Sequence, residues 1–136
     1  MNISLFRHAF VLILLSFLGG FLIHFMTIPR LGLSAHTIGV LGGVLLIAIG
    51  VIWPYFHLSP LQSIWLKWSW LYSSYINWFA CIVAGILGAG KMTPIAASGY
   101  IGSALAEALV SVLFISVGIT SLIAVGLSLW GLRRIS

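Results

Sequence analysis

The chain has 136 residues, 62% of them hydrophobic and 5% charged, with a formal net charge of +5 and a mean hydropathy of +1.24. A water-soluble domain carries roughly a quarter charged residues, so this composition excludes a soluble globular protein. The single acidic residue excludes paired-carboxylate catalysis, and six basic residues scattered at the ends of apolar stretches exclude a nucleic-acid surface.

From the N-terminus, the first charge-free interval lies between Arg7 and Arg30 and holds 22 residues. Arg7 and His8 ahead of an apolar run resemble a signal peptide. The run continues from Ala9 through Met26, beyond the ~7–15 residues of a signal core, and no small-x-small cleavage site follows. It reads as a retained helix. The next intervals are Arg30 to Pro54 with 23 residues, Lys67 to Lys91 with 23, and Glu107 to Arg133 with 25. Each is long enough to cross a ~30 Å hydrocarbon core at ~1.5 Å per residue. The expectation is an all-α integral membrane protein: one four-transmembrane-helix bundle over residues 1–136, with spans at about 8–28, 34–54, 68–90 and 106–132.

With an even number of spans, both termini and the middle loop share a side. That side carries Arg7, Lys67, Arg133 and Arg134, against Arg30 and Lys91 opposite, which predicts cytoplasmic termini. Trp53, Trp65, Trp68, Trp70 and Trp130 cluster near the same ends, as an interfacial aromatic belt does. Cys81, the lone cysteine, has no partner for an intramolecular disulfide and reads as a small apolar residue in the third span.

Each span carries small or polar residues at helical spacing: Ser16, Gly20, His24 and Thr27; then His36, Gly39, Gly43 and Gly50; then Ser74, Asn77, Cys81, Ala84 and Gly88; then Glu107, Ser111, Gly118 and Ser121. Polar groups facing lipid are costly, so these stripes are expected to face one another or a neighbouring subunit. Gly39-x-x-x-Gly43 has two readings. It is a close-packing motif between helices, or a smooth surface beside His36 that leaves room for a flat ligand. Glu107 also has two: a functional intramembrane carboxylate, or a structural ion pair or hydrogen bond near a helix start, with Lys91 or Arg30 as partner. His8 and His57 flank helix ends as interfacial residues. His24 and His36 lie at the opposite end, where a neutral imidazole serves either hydrogen bonding or metal ligation. No zinc spacing, nucleophile elbow, P-loop or dinucleotide fingerprint is present, so any enzyme chemistry is expected to come from a cofactor.

Several strings now stand in order: Pro29-Arg30-Leu31-Gly32-Leu33-Ser34-Ala35-His36, Gly50-Val51-Ile52-Trp53-Pro54, Asn77-Trp78, Gly88-Ala89-Gly90 with Pro94-Ile95-Ala96, Glu107-Ala108-Leu109, and Leu129-Trp130-Gly131-Leu132-Arg133. Their order and spacing resemble the bacterial hydroxylaminobenzene mutases over nearly the whole chain and, more distantly, the styrene oxide isomerases. The resemblance implies a multi-pass protein of the bacterial inner membrane that catalyses a redox-neutral 1,2-rearrangement of a small apolar aromatic substrate. That is arylhydroxylamine to aminophenol in the mutases and aryl epoxide to aldehyde in the isomerases. It also implies haem b held between the subunits of a homotrimer. His36 matches the axial histidine, which makes it the metal ligand.

Around that ligand, Gly39 and Gly43 are expected to admit the porphyrin edge and Arg30 to pair with its propionates. Asn77 is expected to hydrogen-bond the leaving oxygen, and Glu107 to orient His36 through its second nitrogen. Two positions depart from the isomerase pattern. Gly42 stands where an asparagine follows the ligand histidine by six residues, and Cys81 stands where a tyrosine follows the counterpart of Asn77 by four. Both replacements remove polar groups that handle an epoxide, and Gly42 departs from the mutase pattern as well. Two other readings remain open from the sequence: a bis-histidine haem electron carrier using His24 and His36, and a cofactor-free assembly protein.

Overall fold

The computed structural model describes residues 1–133; Arg134, counted above among the cytoplasmic-side bases, lies outside the described residues. Four long helices and one short one account for almost all of it. Helix α1 spans Ile3–Gly20, capped by Asn2, whose side chain accepts a hydrogen bond from the Leu5 amide. Helix α2 spans Pro29–Ile52 and α3 spans Pro60–Leu87. A single turn, α4, covers Pro94–Ala97, and α5 spans Ala104–Gly131. Proline occupies the first position of α2, α3 and α4, where its fixed φ suits a helix start and its missing N–H costs nothing. A reciprocal cap between Ser59 and Gln62 starts α3, and Ser103 caps α5. Gly88 ends α3 with φ of 69°, the left-handed conformation that favours glycine.

All four long helices are long and apolar enough to cross a membrane. Helices α1, α2 and α3 begin five to eight residues ahead of the expected spans, at Ile3, Pro29 and Pro60, and α1 ends early. Helix α1 stops at Gly20, and the apolar residues that follow form a loop with a 3₁₀ turn at Ile23–Phe25. That loop is stitched to the end of α3: the Ile28 amide donates to the Gly85 carbonyl at 3.0 Å, and Thr27 Oγ1 donates to Ile86 O at 2.9 Å. Helix α3 begins at Pro60, ahead of Lys67, because the Ser59–Gln62 cap sets the start and not the charge.

Neighbours in sequence are neighbours in space. Helix α1 packs on α2, α2 on α3, and α3 on α5, while α1 and α3 touch only lightly. The described helices therefore form an open arc. Helix α3 is the most enclosed; in the most apolar 18-residue stretch of α5 only 17% of residues are buried, so most of α5 faces lipid or another chain. Two clusters fill the arc. Leu5, Leu12, Leu46, Leu66 and Leu71 sit toward the termini, and Ile28, Leu31, Ala84, Ala106 and Val110 toward the opposite end. Backbone bonds from Asn2 to Gly50 O (2.9 Å) and from His57 to Gly131 O (2.8 Å) lock the terminal end.

Candidate functional site

His36 sits two turns into α2, half-buried against the last turn of α1. Its Nδ1 lies 2.9 Å from the carbonyl oxygen of Ser16, which only accepts, so Nδ1–H is the donor. In a neutral imidazole this leaves Nε2 as the acceptor nitrogen, and Nε2 has no hydrogen-bond partner among the described residues. A backbone carbonyl that fixes tautomer and ring orientation in this way is the usual preparation of a metal-binding imidazole. Phe17 packs on the ring at 5.8 Å between centroids, and the missing side chain of Gly20 leaves room for it, since a Cβ there would lie 3.2 Å from Nδ1.

The neighbouring glycines do not form an open surface. A Cβ on Gly39 would overlap the Ser16 side chain and lie 2.8 Å from Cδ1 of Trp78; one on Gly43 would run into Ile13 and the Ala9 carbonyl. Both glycines are buried. The expectation that they admit a porphyrin edge is corrected: α1 fills that face, and Gly39 and Gly43 serve close helix packing. The indole N–H of Trp78, wedged between Gly19 and Gly39, is buried without an acceptor among the described residues.

Asn77 lies elsewhere. It lines a cleft of about 250 Å³ between α2, α3 and α5, together with Gly42, Trp70, Ser73, Ser74 and Ser121. An apolar cavity of roughly 150 Å³ already admits benzene, so the cleft has room for one small arene beside several hydroxyls. His36 does not line it. At ~100° per residue, Ile38, Leu41, Gly42 and Leu45 point roughly 140–240° around α2 from His36. One chain therefore holds the imidazole of α2 and the amide of α3 on opposite sides of α2. Cys81 is buried and does not border the cleft.

Glu107 has a local task. Its Oε1 accepts from the Gly102 amide at 2.8 Å and its Oε2 from the Lys91 amide at 3.1 Å, so one carboxylate ties both ends of the α3–α5 connection. The expected contact with His36 is corrected, because the imidazole spends Nδ1 on Ser16 and the carboxylate spends both oxygens on backbone. Of the two readings the sequence left open, the structural one holds. Removing the acceptor strands two amides, so Glu107→Ala is expected to cost about 2–4 kcal/mol and Glu107→Gln about half of that. Thermal unfolding in detergent measures both, and neither change should move a spectroscopic signature of His36. Arg30 is exposed and donates to Ser98 Oγ at 3.3 Å, while His24 is exposed in the Ile23–Phe25 turn. No group of three or more His, Cys, Asp or Glu gathers as a metal site among the described residues. A single-histidine ligand does not depend on such a group.

Sequence reasoning missed the partner of His36. Backbone carbonyls leave no trace in residue type, and the one visible signal is Gly20, the small residue beside the ring. It also missed that Ser73, Ser74 and Ser121 share a cleft with Asn77, although Ser74 and Asn77 lie three residues apart on one stripe.

Residues 1–133 match the family described as styrene oxide isomerase. The chain is 43% identical over 123 residues to hydroxylaminobenzene mutase HabB of Ectopseudomonas oleovorans, covering 90% of this chain and 75% of that protein. It is 36% identical over 117 residues to hydroxylaminobenzene mutase HabA of the same organism, covering 85% and 87%. No solved structure matches. A match across the described length, with two mutases above the level at which fold and family are shared, leads to one conclusion: the chain belongs to the styrene oxide isomerase family and is an enzyme of the isomerase class.

Proposed function

We propose that the protein is a mutase of the bacterial inner membrane that converts a small arylhydroxylamine to an aminophenol with the aid of haem b, its termini in the cytoplasm. The observation that supports this reading best is the His36 imidazole, pinned through Nδ1 and free at Nε2. His36, at the edge of α2, could hold the iron of a haem b; a haem slotted along Gly39 and Gly43 does not fit, because α1 covers that face. When bound there, ferric haem b would supply a Lewis-acidic iron to polarise the bond that breaks.

The chain itself does the rest. Ser16 O holds the imidazole in one tautomer, and Phe17 keeps water from one side of the ring. Asn77, Ser74 and Ser121 provide hydrogen-bond donors for the migrating hydroxyl, while Ser73 donates to the Trp70 carbonyl. Because the Asn77 cleft borders α2 on the side away from His36, the two groups meet one ligand only if the His36 edge of one subunit faces the Asn77 cleft of another. A homotrimer supplies that geometry, with the thinly covered α5 available for the contact. Gly42 lines the cleft and places no amide there.

Purified protein supplied with haem should show a Soret band and isomerise phenylhydroxylamine without an external electron donor. Asn77→Ala should keep the Soret band and slow turnover by about 10–10² fold, the usual loss for one donor aimed at developing charge. Wild-type protein that lacks both the Soret band and turnover would remove the haem-assisted reading.

A further inference from the structure

Gly20 is the last residue of α1, and nothing in its own backbone asks for glycine. Positive φ occurs among the described glycines only at Gly88 and Gly99, so Gly20 keeps a conformation open to any residue. In a helix glycine is worse than alanine, because it loses more backbone freedom on folding. The reason for it lies in what surrounds the missing side chain.

The three heavy atoms nearest to a Cβ built at Gly20 all belong to His36: Nδ1 at 3.2 Å, Cε1 at 3.8 Å and Cγ at 4.0 Å. The closest is the nitrogen that donates to Ser16 O at 2.9 Å. A methyl group there would press on the edge of the ring that makes the bond. Ser16 cannot follow the ring. It is fully buried, its Oγ donates to Leu12 O at 2.7 Å, and its side chain fills the space a Cβ on Gly39 would take. Ser16 and Gly20 are four residues apart, so they lie one above the other on the helix face that meets the ring. The half-buried imidazole is the part that yields. Gly19 has other neighbours: a Cβ there would lie 3.3 Å from Cδ1 of Ile82 and 3.8 Å from the Trp78 indole, both on α3. The two glycines that close α1 therefore serve different partners.

We propose that Gly20 is a positioning residue for His36. Its missing side chain lets the ring lie close enough to α1 for Nδ1 to reach Ser16 O, and that bond fixes where Nε2 is presented. That the positioning serves the reaction rests on the reading of His36 as the haem-binding imidazole; the fit between Gly20 and the ring does not.

Nitrogen NMR of isotope-labelled histidine rings tests it, with the full-length protein in lipid nanodiscs before and after addition of haem. The His36 signals are assigned by their absence in His36→Gln. Wild type without haem is expected to carry a proton on Nδ1 and none on Nε2. Gly20→Ala should move the His36 signals and weaken haem binding about tenfold, the equivalent of one hydrogen bond. Its thermal midpoint should be unchanged or slightly raised. Gly19→Ala should leave the His36 signals and the haem affinity in place. The proposal is overturned by unmoved His36 signals or wild-type haem affinity in Gly20→Ala, or by an equal shift in Gly19→Ala. A lowered midpoint or failure to fold in Gly20→Ala overturns it too, because Gly20 would then serve the fold itself. Moved signals in a protein whose wild type takes up no haem would overturn the haem reading and leave Gly20 as the residue that positions His36.

Discussion

His36→Ala is expected to lower arylhydroxylamine rearrangement by about 10³-fold, because several kcal/mol of charge stabilisation at the reacting bond would go with the ligand. The Soret band should vanish or shift in the same variant. The fold should survive: the ring is half-buried at the edge between α1 and α2 and makes one hydrogen bond, worth about 1 kcal/mol net. Deleting the ring leaves a slot beside Gly20 and Phe17, so added imidazole should restore part of the band and part of the turnover. A variant that kept both at wild-type level would sink the assignment of His36. Thermal unfolding measured alongside separates loss of ligand from loss of structure.

Gly39→Val is the corresponding test of the packing. The added carbons would start inside the Ser16 side chain and against the Trp78 indole, and neither can withdraw without moving its helix. The expected cost is about 3 kcal/mol or more, at the upper end for overpacking a filled site. In a chain of this length that lowers the unfolding midpoint by about 10 °C. Gly118→Val and Gly126→Val provide the contrast. Nothing lies within 4 Å of a Cβ at either position on α5, so within one chain they should be neutral to about 0.5 kcal/mol. If they instead dissociate an oligomer without unfolding its subunits, the exposed face of α5 lies in the contact between copies. Gly39→Val with a wild-type midpoint would mean that α1 and α2 are not packed as described.

The sequence made the span count legible because charge is so expensive inside a bilayer that its absence over 22 to 25 residues has few other meanings. Helix ends were less legible. Phe21 through Ile28 are mostly as apolar as the helix before them, so hydropathy has no edge at Gly20, whereas the Gly19-Gly20 pair and Pro29 mark the break in local terms. The start of α3 was readable from Ser59-Pro60-x-Gln62, had capping been weighed above charge. At the site, residue types singled out His36 near a helix end and Glu107 at a helix start. Their partners were hidden for one reason: both use backbone groups, Ser16 O in one case and the amides of Lys91 and Gly102 in the other. The glycine stripe was ambiguous because close packing and an open cradle ask for the same residue, and only the position of α1 separates them.

The arc in which each long helix leans on the one made just before it bears on how the protein is built. Hairpin α1–α2 meets mostly residues made before it: Gly43 and Gly50 pack only on α1, and Gly39 packs on Ser16, with Trp78 of α3 added afterwards. Helix α3 then closes on a finished surface, and α5 on α3. No helix has to wait in the lipid for a distant partner, so the search is local at every step, the condition under which helical proteins assemble fastest. Side-by-side insertion in order of emergence from the ribosome is thereby sufficient, and the last helix is the one that reaches the bilayer with a free face.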